Sequence, residues 1–253
     1  MALQFSELTE TELLEIVAAG DPSLASVFRL TPVVRARAAD ELLTEAIAHG
    51  VDQFVILGAG MDSTAWRRPD LAPTVTTFEV DHPATQEYKK ERVAVAGAEA
   101  YGDHRYVPFD FTTDNDFVRA LVVAGLDTTR PVLWSWLGVL TYLTEDQIRR
   151  TLSAMATACS PGSELIMDFI VDPDLLDDRA RAAHEFARPM AAARGEPYVS
   201  VFRPEELSLL ADRSGWTIEQ CSLPEDYRPW LEGRSDGLQW STYIGIATAR
   251  RSE

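Results

Sequence analysis

The sequence predicts an α/β protein: a three-layer, doubly wound, Rossmann-like fold on a seven-stranded, mostly parallel sheet. Three observations predict it. Short apolar runs alternate with helical stretches along most of the 253-residue chain. The first run, Gln53–Leu57, breaks directly into Gly58-Ala59-Gly60. The next two runs close on acidic residues, at Asp81 and Asp110.

Taken in order, two helices precede the first strand. Residues 6–19 carry Thr9 and Thr11 near the start, then apolar Leu13, Leu14, Ile16 and Val17. Residues 33–49 open after Thr31-Pro32, where proline suits a first helical turn, and stop at His49-Gly50. Strands follow at Gln53–Leu57, Val75–Val80, Arg105–Phe109, Pro131–Leu137 and Glu164–Val171, with late runs at Thr217–Cys221 and Thr242–Ala247. Helices are expected at 83–97, 113–125, 144–158 and 203–214. Residues 172–200 interrupt the alternation with a helical composition, far longer than the usual connection of about 4–6 residues. They read as a helical cap inserted over the ligand crevice, or as an excursion without a ligand role. The expected organisation is one domain over 1–253, with residues 1–50 as N-terminal helices and 172–200 as the cap.

Composition narrows the partners. The net charge of −17 repels phosphate backbones and argues against nucleic acid, while favouring neutral or cationic ligands. Cys159 and Cys221 follow no metal-site spacing and form no disulfide framework, so no metal is expected and both read as buried thiols. No basic, apolar leader opens the sequence, and no run approaches the roughly 20 apolar residues of a membrane span. A soluble, cytoplasmic monomer or homodimer acting on a small molecule is the expectation.

The glycine loop carries most of the functional signal. Glycine permits a tight turn and a close approach of ligand to backbone. In doubly wound sheets this position, at the carboxyl end of the first strand, is where nucleotides bind. The candidate contacts on it are Gly58, Ala59, Gly60 and Asp62. Ser63 stands where a dinucleotide fingerprint has its third glycine, which counts against NAD. Asp81 lies 23 positions beyond Gly58, the distance at which a carboxylate can take both ribose hydroxyls. Glu79 competes for that role, since strand alternation puts it on the same side. Asp110 ends the third run beside Phe111, a pair suited to an adenine amino group and ring face, although Asp110 could equally cap the next helix.

LGAGMDSTAWR, FEVDHPATQEYKKERV, YVPFDF and SWLGVLTYLT, in this order and spacing, resemble the bacterial branch of the leucine carboxyl methyltransferase-like family. The resemblance runs from about Thr31 to Ala249. It implies the class I methyltransferase fold, S-adenosylmethionine as cofactor, and O-methyl transfer to a small metabolite, often in secondary metabolism. By resemblance, Arg37, with Arg35 close by, matches an arginine that reaches the cofactor carboxylate. Gly58 matches the first loop glycine, Asp81 the ribose aspartate, and Asp110-Phe111 the adenine-side pair. The chain departs from the family where Leu137 replaces a glutamate of the leucine carboxyl methyltransferases themselves. That puts a phosphatase C-terminus as substrate in doubt and leaves a backbone contact around Ser135–Gly138.

For the acceptor side the candidates are Tyr142, after the fourth strand, and His184 in the insertion, as catalytic groups. Tyr142, Tyr198 and Arg203 are the candidate substrate contacts. A carboxylate acceptor needs no base because it is already ionised near neutrality; a phenol or alcohol does. His184 could equally be structural, Tyr142 core packing, and Arg203-Pro204-Glu205-Glu206 a plain helix start. Trp230 and Trp240 could line an apolar pocket or simply pack. Two other functions compete: an NAD-dependent oxidoreductase, and a cofactor-binding protein without transfer activity.

Overall fold

The computed structural model describes residues 22–71, 74–111, 116–193, 195–232 and 242–252. The expected helix over 6–19, Trp240, and the first residues of the helix expected at 113–125 lie outside them.

The first described helix, α1, spans Pro22–Ala48. It therefore begins well before the expected start at residue 33 and runs through Pro32. Proline removes one helical hydrogen bond. Leu30 and Val34, which flank the proline four residues apart on one face, are nevertheless buried, and that packing outweighs the local break. The strands are β1 (Gln53–Leu57), β2 (Thr76–Asp81), β3 (Asp103–Pro108), β4 (Leu133–Trp136), β5 (Glu164–Ile170), β6 (Trp216–Ser222) and β7 (Ile244–Arg251). All seven match expected runs; β7 extends beyond its expected end and β4 is shorter at both ends.

The sheet order is β3-β2-β1-β4-β5-β7-β6, with β7 antiparallel to β5 and β6 and the pairs among β1 to β5 parallel. β1 pairs with β2 on one side and β4 on the other, so the winding reverses there. A crevice opens outside the carboxyl ends of strands at such a reversal. β1, β4 and β5 are buried at every position, as strands covered on both faces must be.

The covering helices are α2 (Thr64–Arg67), α3 (Pro83–Ala96), α4 (Phe117–Val123), α5 (Glu145–Thr157), α6 (Asp178–Ala193) and α7 (Pro204–Asp212). Their starts are written locally. His82 Nδ1 accepts from the Ala84 amide ahead of α3, and Asp116 caps α4. Thr144 and Gln147 form a reciprocal capping box on α5. Because Asp116 takes the α4 cap, Asp110 is not used that way. Within residues 172–200, α6 buries Ala180, Ala183, His184 and Ala187. The chain after it is tied down: the Val199 and Ser200 amides both donate to the Thr141 carbonyl, at 2.8 and 3.2 Å.

Among the described residues no helix is long and apolar enough to cross a membrane. Burial raises both thiols, Cys221 up to about 11, so neither is a ready nucleophile.

Candidate functional site

The site begins with the turn after β1. The Gly58 and Ala59 amides donate to the Val80 carbonyl, folding the loop back over β2. Gly58 has φ 73°, and a Cβ there would run into Val139 of the segment after β4. At Gly60 a Cβ would meet nothing within 4 Å, so the backbone there faces open space. Gly58→Ala is thus expected to cost about 2–4 kcal/mol, combining a left-handed backbone penalty with overpacking. Thermal unfolding would read it, and Gly60→Ala should cost less.

Asp81, last residue of β2, turns back onto this loop. Its Oδ2 accepts from the Gly60 amide at 2.5 Å and its Oδ1 from the His82 amide at 2.6 Å. Each oxygen keeps a second lone pair for another donor. Asp62 is half-buried and accepts from the Thr64 amide at 2.7 Å. Burial pushes its carboxyl above the usual range, outweighing that hydrogen bond. Asp110 follows β3, with its Oδ2 at 3.7 Å from His82 Nε2. Phe111 is exposed and meets Phe109 edge-on, with centroids 4.9 Å apart.

Glu79 is a correction. It does not approach the crevice; it is wholly buried, held by Lys89 of α3 at 2.5 Å with His104 at 3.3 Å. Alternation does place residues 79 and 81 on one side, but α3 covers that side along the strand and leaves only its tip open. Ser135 is also placed inside the sheet. It is buried in β4 between Ile56 and Ile166, and the chain reaches the crevice only at Gly138.

Arg37 is the second correction. It pairs with Glu41 at 2.8 Å and lies over the Trp230 ring at 4.1 Å, turned away from the crevice. The crevice-side arginine is its neighbour Arg35, because residues two apart on a helix lie far apart around its circumference. Arg35 donates Nε to Asp168 Oδ2 at 2.6 Å, while Asp168 Oδ1 accepts from the Gly138 amide at 2.6 Å. Asp168 therefore joins α1 to the loop after β4. Sequence reasoning missed it, although a lone carboxylate inside the apolar run Glu164–Val171 was a visible signal.

Beside this pair lies a cavity of about 230 Å³. Arg35, Tyr142, Tyr198 and Tyr243 give it polar walls; Ile170 and Met190 give it apolar ones. The Tyr198 and Tyr243 hydroxyls are 2.9 Å apart. Thr141 Oγ1 is buried on the same wall without a hydrogen-bond partner. Burial, followed by the Glu196 carboxylate, raises the Tyr142 hydroxyl above its usual range; burial and the Tyr198 bond raise Tyr243 further. Glu196 sits at the exposed rim.

Two acceptor-side expectations are relocated. His184 underlies this wall rather than lining it, stacked on Tyr198 at 6.0 Å and edge-on to Tyr243 at 5.5 Å. Burial, then Arg188, lowers its basicity, and its Nε2 has no hydrogen-bond partner. Arg203 stands at the start of α7, bonded to Asp172 at 2.9 Å, where it fastens the chain after β5 rather than facing the cavity. The helix-start reading of Arg203-Pro204-Glu205-Glu206 holds: Glu206 accepts from the Arg203 amide at 3.0 Å.

Comparison with known proteins agrees with this architecture. The chain is 34% identical over 210 residues to YktD of Bacillus subtilis, a protein named for S-adenosyl-L-methionine-dependent methyltransferase activity; the match covers 82% of the chain and 68% of YktD. A similarly named protein of Mycobacterium sp. (strain JLS) is 35% identical over 187 residues, covering 74% of the chain and 59% of that protein. The crystal structure of a DUF574 family protein from Streptomyces avermitilis superposes with a TM-score of 0.68, covering 97% of the chain and 92% of that structure; at 18% identity it speaks for the fold alone. The family model described as leucine carboxyl methyltransferase matches residues 2–156, more than half of the sequence, and the chain belongs to that family.

Proposed function

We propose that this protein is an S-adenosylmethionine-dependent methyltransferase that methylates a carboxylate oxygen of a small metabolite. The crevice residues fit that cofactor. Open space in front of Gly60 allows close backbone approach, Asp81 offers a carboxylate edge at the ribose position, and Asp110 with Phe111 suits the adenine. Arg35 supplies a guanidinium for the amino-acid carboxylate, in the role the sequence suggested for Arg37. The bound cofactor supplies an electrophilic methyl on a sulfonium, which needs an in-line nucleophile.

The chain's own groups position that nucleophile and exclude water from it. The observation that carries the carboxylate reading is the character of the cavity wall. Tyr142 and Tyr243, with hydroxyls raised by burial, stay protonated near neutrality and act as donors. Donors hold an ionised acceptor and can take no proton from a neutral one. The histidine lies behind the wall with its basicity lowered. A carboxylate acceptor requires no such proton transfer.

Calorimetric titration with S-adenosylmethionine, S-adenosylhomocysteine and NAD in parallel tests the cofactor. Micromolar binding of both adenosyl compounds without NAD supports the reading. Binding without turnover on any acceptor would favour the non-catalytic alternative. Asp81→Ala should weaken cofactor affinity by about 1–3 kcal/mol, the scale of hydrogen bonds to a charged group. The pH profile separates the acceptors. With a carboxylate acceptor, kcat should be flat from about pH 6 to 9, because that group ionises near pH 4. A rate rising with pH across that range would point to a hydroxyl acceptor instead.

A further inference from the structure

On the wall of the tyrosine-lined cavity, Thr141 sits in the turn Leu140–Tyr142 that follows β4. The backbone around it is satisfied. The Thr141 carbonyl accepts from the Val199 and Ser200 amides, and Ser200 Oγ donates to the Leu140 carbonyl at 3.1 Å. Thr141 Oγ1 is different: it has no hydrogen-bond partner among the described residues, in a residue only 7% exposed. A buried hydroxyl without a partner is costly, and native structures keep few of them. The turn is held without it, which leaves a guest in the cavity as its partner.

The other groups on the wall define that guest. The bonded Tyr198–Tyr243 hydroxyl pair uses one proton in its own bond and has one left over. With Thr141 and Tyr142, this makes three O–H donors around one cavity. The two oxygens of a carboxylate can accept all three. Glu196 at the exposed rim repels an anion, so a carboxylate group turns inward.

The body of the guest meets aromatic walls. Tyr142 and Tyr198 have centroids 6.1 Å apart at 50°, and Tyr198 and Tyr243 have centroids 6.3 Å apart at 47°. Rings tilted in this way, with the Met190 thioether beside them, offer faces and edges to a flat ring. At about 230 Å³ the cavity is smaller than the ~300–1,000 Å³ of pockets for drug-sized ligands, so the guest is small.

We propose that this cavity binds a single-ring aromatic monocarboxylate and that Thr141 Oγ1 donates to its carboxylate. That this guest is the methyl acceptor rests on the function proposed above. A carboxylate oxygen then forms the new C–O bond as the sulfonium–methyl bond breaks, giving a methyl ester and a neutral thioether with no proton to place. The ester has lost the charge that the donors hold, which favours its release.

Saturation-transfer NMR titration of the full chain with sodium benzoate tests this, with and without S-adenosylhomocysteine. Sodium cyclohexanecarboxylate and methyl benzoate are the comparison ligands. A chain of net charge −17 attracts no anion generally, so saturable benzoate binding reports a built site. Cyclohexanecarboxylate should bind about three- to tenfold more weakly, the scale of one aromatic contact. Methyl benzoate should bind about tenfold more weakly or less, having lost a charged acceptor. Thr141→Val should weaken benzoate about tenfold and leave S-adenosylhomocysteine affinity unchanged. Its melting temperature should not fall, because the free protein loses no hydrogen bond. Absence of saturable benzoate binding overturns the proposal, as does cyclohexanecarboxylate binding as tightly as benzoate. Equal benzoate affinity in wild type and Thr141→Val also overturns it, since solvent then meets that hydroxyl. S-adenosylhomocysteine binding without benzoate binding sinks this inference and spares the cofactor reading; benzoate binding without S-adenosylhomocysteine binding does the reverse.

Discussion

Replacing Lys89 with methionine is expected to destabilise the fold by about 3–5 kcal/mol, the cost of stranding a buried charge. Lys89 and Glu79 are each 1% exposed at the side chain and meet at 2.5 Å, with the ammonium also 5.0 Å over the Trp66 ring. Removing the ammonium leaves the Glu79 carboxylate in a closed space, with His104 at 3.3 Å. The urea midpoint should fall at an unchanged m-value. The double variant Glu79→Leu/Lys89→Met should recover most of the loss, because a well-packed apolar pair replaces a buried ion pair at little net cost. A single variant costing less than about 1 kcal/mol would mean that Glu79 is compensated by something other than Lys89. The same variant bears on the crevice. Lys89 holds the raised Asp62 carboxyl down and Glu79 pushes it up, so losing the lysine alone should raise Asp62 further and weaken ligand binding at the loop.

The second large effect concerns two neighbouring arginines. Arg35→Met should lower kcat/KM by about 10- to 150-fold, corresponding to roughly 1.5–3 kcal/mol for hydrogen bonds between charged partners. It removes the guanidinium beside the cavity and also strands Asp168, whose other oxygen holds the Gly138 amide. Arg37→Met, two residues away, should stay within about twofold, since an exposed i,i+4 pair contributes only ~0.3–0.5 kcal/mol. Steady-state kinetics on both variants, with thermal unfolding as a control, reads the difference. Equal losses in the two would remove Arg35 from its special place. Asp168→Asn should reproduce part of the Arg35 effect, because the amide keeps the Gly138 contact and loses the ionic one.

These expectations show where the chain is legible and where it is not. The central strands β1, β4 and β5 could be read because burial on both faces demands continuous apolar runs, and Gln53–Leu57 and Glu164–Ile170 are such runs. The turn at Gly58 could be read because a positive φ at a strand end selects glycine. Asp81 could be read because its place, at the tip of the strand after that turn, follows from chain order alone.

Glu79 looked equivalent to Asp81, and only the lie of α3 across β2 separated them, by covering one carboxylate with Lys89 and leaving the other at the edge. Proline at 32 locally signalled a helix start, yet the buried face of α1 carried the helix through it.

What the sequence by itself determined was therefore the order of elements, the glycine turn and the acidic strand ends. These are set within a few residues, by backbone sterics and by burial pattern. What only the tertiary structure decided was which side chain meets which. Arg35 finds Asp168 across 133 residues and Tyr198 finds Tyr243 across 45. Such pairings depend on helix rotation and strand order, and no local propensity encodes them.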